Sequence, residues 1–506
     1  MKKILIRFPQ MCLILLILTN MLMTLAQGKT DSTFIVCGKI ADWQEVGDEG
    51  ISLEVFKNYQ SQNDAILGEE YQLVLDRDSF HLAISFADMP KIFYGRFNGL
   101  IKRGENVMIG FPFLFQAGDS VHIRRDSLGK VQASQGNPLF QCQLALLSGT
   151  NMISESLAYR AADGDRHRYY LNEMATIRQR ADSVMTAYSP NLTPFQSELI
   201  RVNFLSYMDA IAWKQMAILA RSNHIDKEYL PQLLDEMTEH YQQLTTLVPD
   251  SIYIVSSTFL EAKVNHYWAK ALTLCVLESR LDNSFEQLYY FIKNENSGRL
   301  RDRLILAAIH LHGITFQDNA TIFHALEDAL SFVSDEQVQA DIFSLLRKFK
   351  EGAEVPYFTF YAMDGTEMNL KDFCSKVIVA HFWFLGCTPC KEMTRNLSPI
   401  FEEFGANENI VFLNINVDKK KENWLKGVDE KAYHHEHEIL LTTGPSGFTH
   451  PLIKHYEYYG MPQLMVIDGN GKLVTQNAPR GRNEKEMEEL RNVISSTLRQ
   501  VDNYVR

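Results

Sequence analysis

The chain has 506 residues, 46% of them hydrophobic and 22% charged, with 27 Gly and 15 Pro. This composition excludes a disordered or fibrous chain, and the length exceeds what one hydrophobic core supports, so two to four domains are expected. A formal charge of −12 excludes nucleic-acid binding by phosphate neutralisation.

Lys2, Lys3 and Arg7 precede an apolar run from Met11 to Leu25 that exits through Thr24-Leu25-Ala26. A basic start, a short apolar core and a small-residue exit form a secretory pattern, so residues 1–26 are expected to be a signal peptide cleaved after Ala26. Cys12 lies inside the run and not at its exit, which argues against a lipoprotein. Cleavage removes three basic and no acidic side chains and takes the formal charge from −12 to −15. No other segment has the apolar length of a spanning helix, so the mature chain is expected to be periplasmic or otherwise exported, and soluble.

Cys37, Cys142, Cys275, Cys374, Cys387 and Cys390 then remain, and only the last two are close in sequence. Such sparse cysteines do not make a disulfide scaffold; Cys37, Cys142 and Cys275 are expected as buried apolar thiols.

Residues 30–130 alternate in polarity between turn signals, with strands expected at Phe34-Ile35-Val36, Ile51 to Val55, Tyr71 to Leu75, Phe80 to Ile84 and Ser120 to Ile123. Short strands at this spacing predict an antiparallel β-sandwich-like domain. From 135 to 350 the period becomes helical, as in Leu199 to Arg221 and Tyr253 to Arg280, and breaks at Ser189-Pro190, Val248-Pro249-Asp250 and Gly313 divide the region into seven to nine helices. Its aromatic residues, Tyr169, Tyr170, Tyr289 and Tyr290 among them, are expected in packing. Glu351 to Pro356 is the expected linker to a third domain, 354–506, in which strands and helices alternate.

Lys376 to Phe384 is a near-continuous apolar run suited to a strand buried on both faces. Gly386-Cys387-Thr388-Pro389-Cys390 follows at once, and helical periodicity continues to Phe404. A thiol at a helix N-terminus is favoured as thiolate by unpaired N–H groups and the helix dipole, so Cys387 is the expected nucleophile and Cys390, one turn later, the resolving thiol. Pro389 costs no hydrogen bond in a first turn. Ile410 to Val417 and Gln463 to Ile467 read as further buried strands, and Asp468 to Gly471 as a turn into Lys472-Leu473-Val474.

Residues 354 to 499 resemble the TlpA/ResA-like branch of the thioredoxin superfamily. The resemblance rests on the Asp364-Gly365 hairpin, Phe382-Trp383 ahead of CxxC, Val417-Asp418, Gly460-Met461-Pro462 and Asp468 to Gly471. It implies a thioredoxin-like α/β domain with a four- or five-stranded mixed sheet, and an enzyme that exchanges disulfides in exported proteins as a reductase, fed by a membrane thiol donor and needing no cofactor. It further implies that Pro462 is a cis-proline facing the thiols and that Met461 offers its backbone to an extended substrate beside Trp383. Phe113 to Asp119, with the strand after it, loosely resembles the end of a small β domain that precedes such modules in exported proteins of Bacteroides-like bacteria.

Three departures bear on the chemistry. Gly386 stands where many relatives have tryptophan, leaving less apolar surface at the thiol. Met393 stands where ResA-like proteins carry glutamate, so that glutamate's role is not transferred to Glu392. His381 occupies the position of a buried acid in thioredoxin; its imidazole is either the acceptor of the Cys390 proton or a hydrogen-bonded core side chain.

One CxxC is too few for structural zinc, and no metal is expected. Tyr433-His434-His435-Glu436-His437-Glu438, with His450 and His455 beyond, is expected as a solvated loop. The alternative to an enzyme is a binding or scaffold protein on an inactive thioredoxin fold, which the intact cysteine pair disfavours.

Overall fold

The computed structural model describes residues 33–41, 51–56, 69–85, 92–98, 111–126, 131–133, 136–148, 166–221, 227–245, 248–253, 255–314, 319–458 and 460–504. The expected signal peptide, residues 1–26, lies outside the described residues. The protein is multidomain: N-terminal sheets, a helical middle region and a C-terminal thioredoxin-like domain. Its chain gathers into two compact units, one holding the N-terminal strands, the first helix and residues 180–200, the other holding residues 201–506.

In the first unit, β1 (Thr33–Ile40), β2 (Ile51–Phe56), β3 (Glu69–Leu73), β4 (Leu75–Asp76), β5 (Ser79–Ser85), β6 (Ile92–Asn98), β7 (Phe113–Gln116), β8 (Ser120–Arg125) and β9 (Val131–Ala133) form two sheets. Their orders are β4-β5-β1-β8-β9 and β3-β2-β6-β7. Phe34 of the first sheet meets Phe93 and Phe115 of the second at ring-centroid distances of 5.1 and 4.9 Å. The expected all-antiparallel pairing is corrected in one place: β1 and β8 run parallel, with Val36 opposite Val121. Turn signals report neighbours in sequence and cannot report a pairing between strands this far apart.

Ten α-helices follow among the described residues: α1 (Pro138–Leu147), α2 (Arg166–Tyr188), α3 (Pro194–Arg221), α4 (Leu230–Thr245), α5 (Asp250–Tyr253), α6 (Ser257–Leu277), α7 (Ser284–Glu295), α8 (Gly298–Ala308), α9 (Asn319–Leu330) and α10 (Glu336–Phe349). The one beyond the expected range is α5, whose four residues are too few to show a period. Asp335 caps α10 by accepting from the N–H groups of Gln337 and Val338, and Val338, Ile342, Leu345 and Phe349 form its buried stripe. A π-helical turn, Ile309–Gly313, ends α8. No helix among the described residues is long and apolar enough to cross a membrane.

The C-terminal domain contains β10 (Thr359–Ala362), β11 (Glu367–Asn369), β12 (Val377–Trp383), α11 (Thr388–Phe404), β13 (Ile410–Asn416), α12 (Lys421–Asp429), β14 (Glu438–Thr442), α13 (Pro451–His455), β15 (Gln463–Ile467), β16 (Leu473–Thr475) and α14 (Glu484–Tyr504). Its sheet has seven strands, β11-β10-β14-β13-β12-β15-β16, where four or five were expected. The additions are the Asp364-Gly365 hairpin at one edge and short β16 at the other. Central β12 pairs in parallel with β13 and antiparallel with β15, and every residue of β12 and β13 is buried. Val377 and Val379 pack with Met393, Leu397 and Phe401 of α11 and Leu490 and Ile494 of α14, which fixes the face of β12 that α11 covers.

The segment from Glu351 to Pro356, expected as a linker, is pinned to the sheet edge. Gly352 N–H donates to Leu473 O at 2.8 Å, Val355 N–H to Gly471 O at 3.0 Å, and Glu354 forms a β-bridge with Lys472.

Candidate functional site

Cys387 and Cys390 are joined by a disulfide with their Cα atoms 5.3 Å apart. Cys387 is the N-cap of α11, and its sulfur accepts the Cys390 backbone N–H at 3.1 Å. A negative sulfur at this position meets an orphan donor and the positive end of the helix dipole. Gly386 reaches it with φ +90°, a backbone region that disfavours residues with a Cβ, although a Cβ there would touch nothing within 4 Å. The turn is fastened by two bonds of 2.8 Å, from Leu385 N–H to Asp418 Oδ2 and from Gly386 N–H to Tyr433 Oη.

The thiol is better covered than the missing tryptophan suggested. Cys387 is 3% exposed and Cys390 fully buried, packed with Trp383, Trp424 and Tyr433. Tyr433 stacks on Trp383 at 4.4 Å and 13°, supplying from a distant segment the apolar surface that Gly386 lacks. Trp383, expected beside a substrate, is instead wholly buried and forms the floor beneath the pair. Met461 is half-buried with its carbonyl oxygen 3.9 Å from Cys387 Sγ, and the Met461-Pro462 peptide is cis.

Trp383 opens onto a buried polar cluster. An indole N–H can only donate, and Trp383 Nε1 lies 2.5 Å from Asn414 Oδ1, which fixes the orientation of that amide. The Asn414 amide nitrogen donates one proton to Tyr433 O at 2.7 Å and the other to Glu438 Oε2 at 3.2 Å. Both protons are then committed, so none remains for His381 Nδ1, 3.4 Å away. His381 Nδ1 lies 3.5 Å from Glu438 Oε1, a carboxylate oxygen that has no hydrogen-bond donor among the described residues. His381 Nε2 is buried and without a hydrogen-bond partner among the described residues. His381 shares its face of β12 with Val379 and Trp383, the face that carries α11 and the cysteines.

Glu438 belonged to the segment expected as a solvated loop. It is instead the buried first residue of β14, opposite Phe412, with Oε2 also accepting His435 N–H at 2.7 Å. His435 stacks on Phe401 at 5.1 Å, and burial, the largest influence, lowers the pKa of His434. No group of three metal-capable side chains occurs among the described residues.

Of the other thiols, Cys142 and Cys275 are buried and Cys374 is exposed. Cys37, expected as buried, is half-exposed, with its sulfur 3.1 Å from His122 Nδ1, because its side chain projects from the outer face of β1.

A family model described as thioredoxin-like matches residues 375–473. The thiol-disulfide oxidoreductase ResA of Bacillus cereus is 30% identical over 138 residues, covering 26% of this chain and 73% of that protein. ResA of Bacillus thuringiensis is 29% identical over 138 residues with the same coverage. The thioredoxin domain of a thiol-disulfide oxidoreductase from Bacteroides vulgatus is 23% identical, with a TM-score of 0.25 over 29% of this chain and 97% of that one. A thioredoxin-like protein from Bacteroides caccae is 15% identical, with a TM-score of 0.31 over 51% of this chain and 92% of that one.

Proposed function

The chain belongs to the ResA-like thiol-disulfide oxidoreductases of the thioredoxin superfamily, and from that premise we propose that its reaction is carried by Cys387 and Cys390 and runs toward reduction of disulfides in exported proteins. In the dithiol form, Cys387 thiolate attacks one sulfur of a target disulfide. The target S–S bond breaks, its second sulfur leaves as thiolate, and a mixed disulfide forms. Cys390 gives its proton to His381 Nε2 and attacks Cys387 Sγ, which closes the Cys387–Cys390 disulfide and releases the remaining target thiolate. Two electrons pass to the target, and a membrane-bound thiol donor restores the pair.

One observation carries this reading: Cys387 sulfur caps α11 and accepts Cys390 N–H at 3.1 Å, the arrangement that favours its thiolate. The unpartnered Nε2 of His381 supports its role as proton acceptor, with Glu438 holding the tautomer. Met461 offers its carbonyl beside the sulfur for pairing with an extended substrate, next to Pro462. Residues 1–26 direct export, residues 30–130 form a two-layer sandwich, and 135–350 and 354–506 are the helical and redox modules.

The test is insulin disulfide reduction by the full chain together with the midpoint potential of the cysteine pair. Activity should vanish in Cys387→Ser, and Cys390→Ser should accumulate the mixed disulfide. Full activity of Cys387→Ser would reject the site, and a potential near about −120 mV would reject the reductase direction.

A further inference from the structure

Glu457 lies four residues before Met461, in the segment that leads into the cysteine-facing loop. Three features set it apart. Its backbone is left-handed, φ +54°, which a residue with a Cβ adopts only when its surroundings impose it. Its carboxylate is 4% exposed. Both groups that face its carboxylate come from the helical region: the His310 imidazole, Nδ1 at 2.7 Å, from the π-helical turn after α8, and the Lys348 ammonium, Nζ at 2.8 Å, from the last turn of α10.

The neighbouring residues are held from the same side. Tyr456 stacks on Phe349 of α10 at 6.4 Å, and both are buried. Tyr458 Oη donates to Gln476 O at 2.6 Å, and Gln476 in turn donates to Ile314 O at 3.5 Å, just beyond the π turn. On the far side of the loop, Gln463 Nε2 donates to Gly460 O at 2.7 Å, and Arg480 donates to Gln463 Oε1 at 3.1 Å. Gly460 and Met461 are thus suspended between an anchor inside the redox domain and one supplied by the helices.

We propose that the helical middle region is a positioning clamp for the substrate-receiving loop, with His310 and Lys348 gripping Glu457 so that the Met461 backbone stands ready opposite Cys387. A buried carboxylate deprived of one cation is left uncompensated and must move or take up a proton, and either response releases the left-handed turn. The chemistry of the cysteines runs through α11, His381 and Glu438 and does not pass through this contact. Loss of the clamp therefore acts on binding of a chain that must pair with Met461, and not on thiol exchange itself.

This inference rests on the reading that Met461 receives substrate, and the test separates the two. Lys348→Met in the full chain keeps the apolar stem and removes the charge; His310→Gln is the second variant, should the first fail to fold. Insulin reports on an extended protein substrate, and dithiobis-nitrobenzoate on a small disulfide that needs no strand pairing. The expected result is a KM for insulin raised on the order of 10-fold, with kcat, the rate with the small disulfide and the midpoint potential unchanged. Unchanged insulin KM in a folded variant, or an equal loss with both disulfides, overturns the clamp. Cys387→Ser decides the underlying reading separately: if it retains insulin reduction, the catalytic assignment fails before the clamp is at issue.

Discussion

Glu438 faces His381 across the central strands, 3.5 Å from its Nδ1, and the two come from segments separated by more than one strand and helix of the fold. With the Asn414 protons committed elsewhere, this carboxylate is proposed to orient the imidazole. Glu438→Gln should slow resolution of the mixed disulfide by roughly 10- to 100-fold, His381→Leu should do likewise, and the double variant should cost little more than either alone. Stopped-flow release of a target thiol, followed from about pH 5 to 9, checks this. The charged or ionisable groups beside the imidazole are Glu438 and His434. A profile in Glu438→Gln that overlies the parent would end the case for a working pair.

Trp383 packs against Tyr433 and against the backbone of α12, where Gly427 leaves room for it. A Cβ at 427 would fall 2.4 Å from Trp383 Cη2 and 3.6 Å from Tyr433 Cδ2, and the indole it would displace is already stacked on Tyr433 at 4.4 Å. Gly427→Ala should therefore lower the urea midpoint by the equivalent of about 1–3 kcal/mol and perturb Trp383 fluorescence. An unchanged midpoint would mean that the floor under the cysteines is soft.

The legible parts of this molecule were those whose physics is local. CxxC between a buried strand and an amphipathic helix, the Asp364-Gly365 hairpin and the Asp468 turn each occupy a few consecutive residues, and Asp468 Oδ1 does accept the N–H groups of Asn470 and Lys472. What stayed hidden depends on register between distant strands. Glu438 reads as one more charge in a histidine-rich loop until β14 pairs Phe412 opposite it, and Tyr433 reads as a loop aromatic until it lies on Trp383. The signal available beforehand was modest: Asn414 and Asn416 interrupt an otherwise apolar buried strand, and buried amides require partners.

Thiol accessibility gives a third prediction. Cys374 is exposed, whereas burial pushes the Cys142 thiol up to about 12 and raises that of Cys275. In oxidised protein near neutral pH, iodoacetamide should label Cys374 first and leave Cys142 and Cys275 unmodified; after reduction, Cys387 should join Cys374. Peptide mass mapping reads the order, and early labelling of Cys142 would contradict its packing.

The grip on Glu457 should also be visible in acid. Burial alone would raise its carboxyl, but His310 and Lys348 outweigh burial and hold it at about 2, against an ordinary 4.5. Because the folded value is depressed, the contribution to stability is complete above about pH 4.5 and is lost as pH falls toward 2. The difference between the two values corresponds to roughly 3 kcal/mol, of which Lys348 supplies a part. Urea unfolding of the parent and Lys348→Met should show a stability gap that is constant from neutral pH to about pH 5 and narrows steadily below it. A gap of one size throughout would mean that Lys348 stabilises the protein through its packing and not through the carboxylate it contacts.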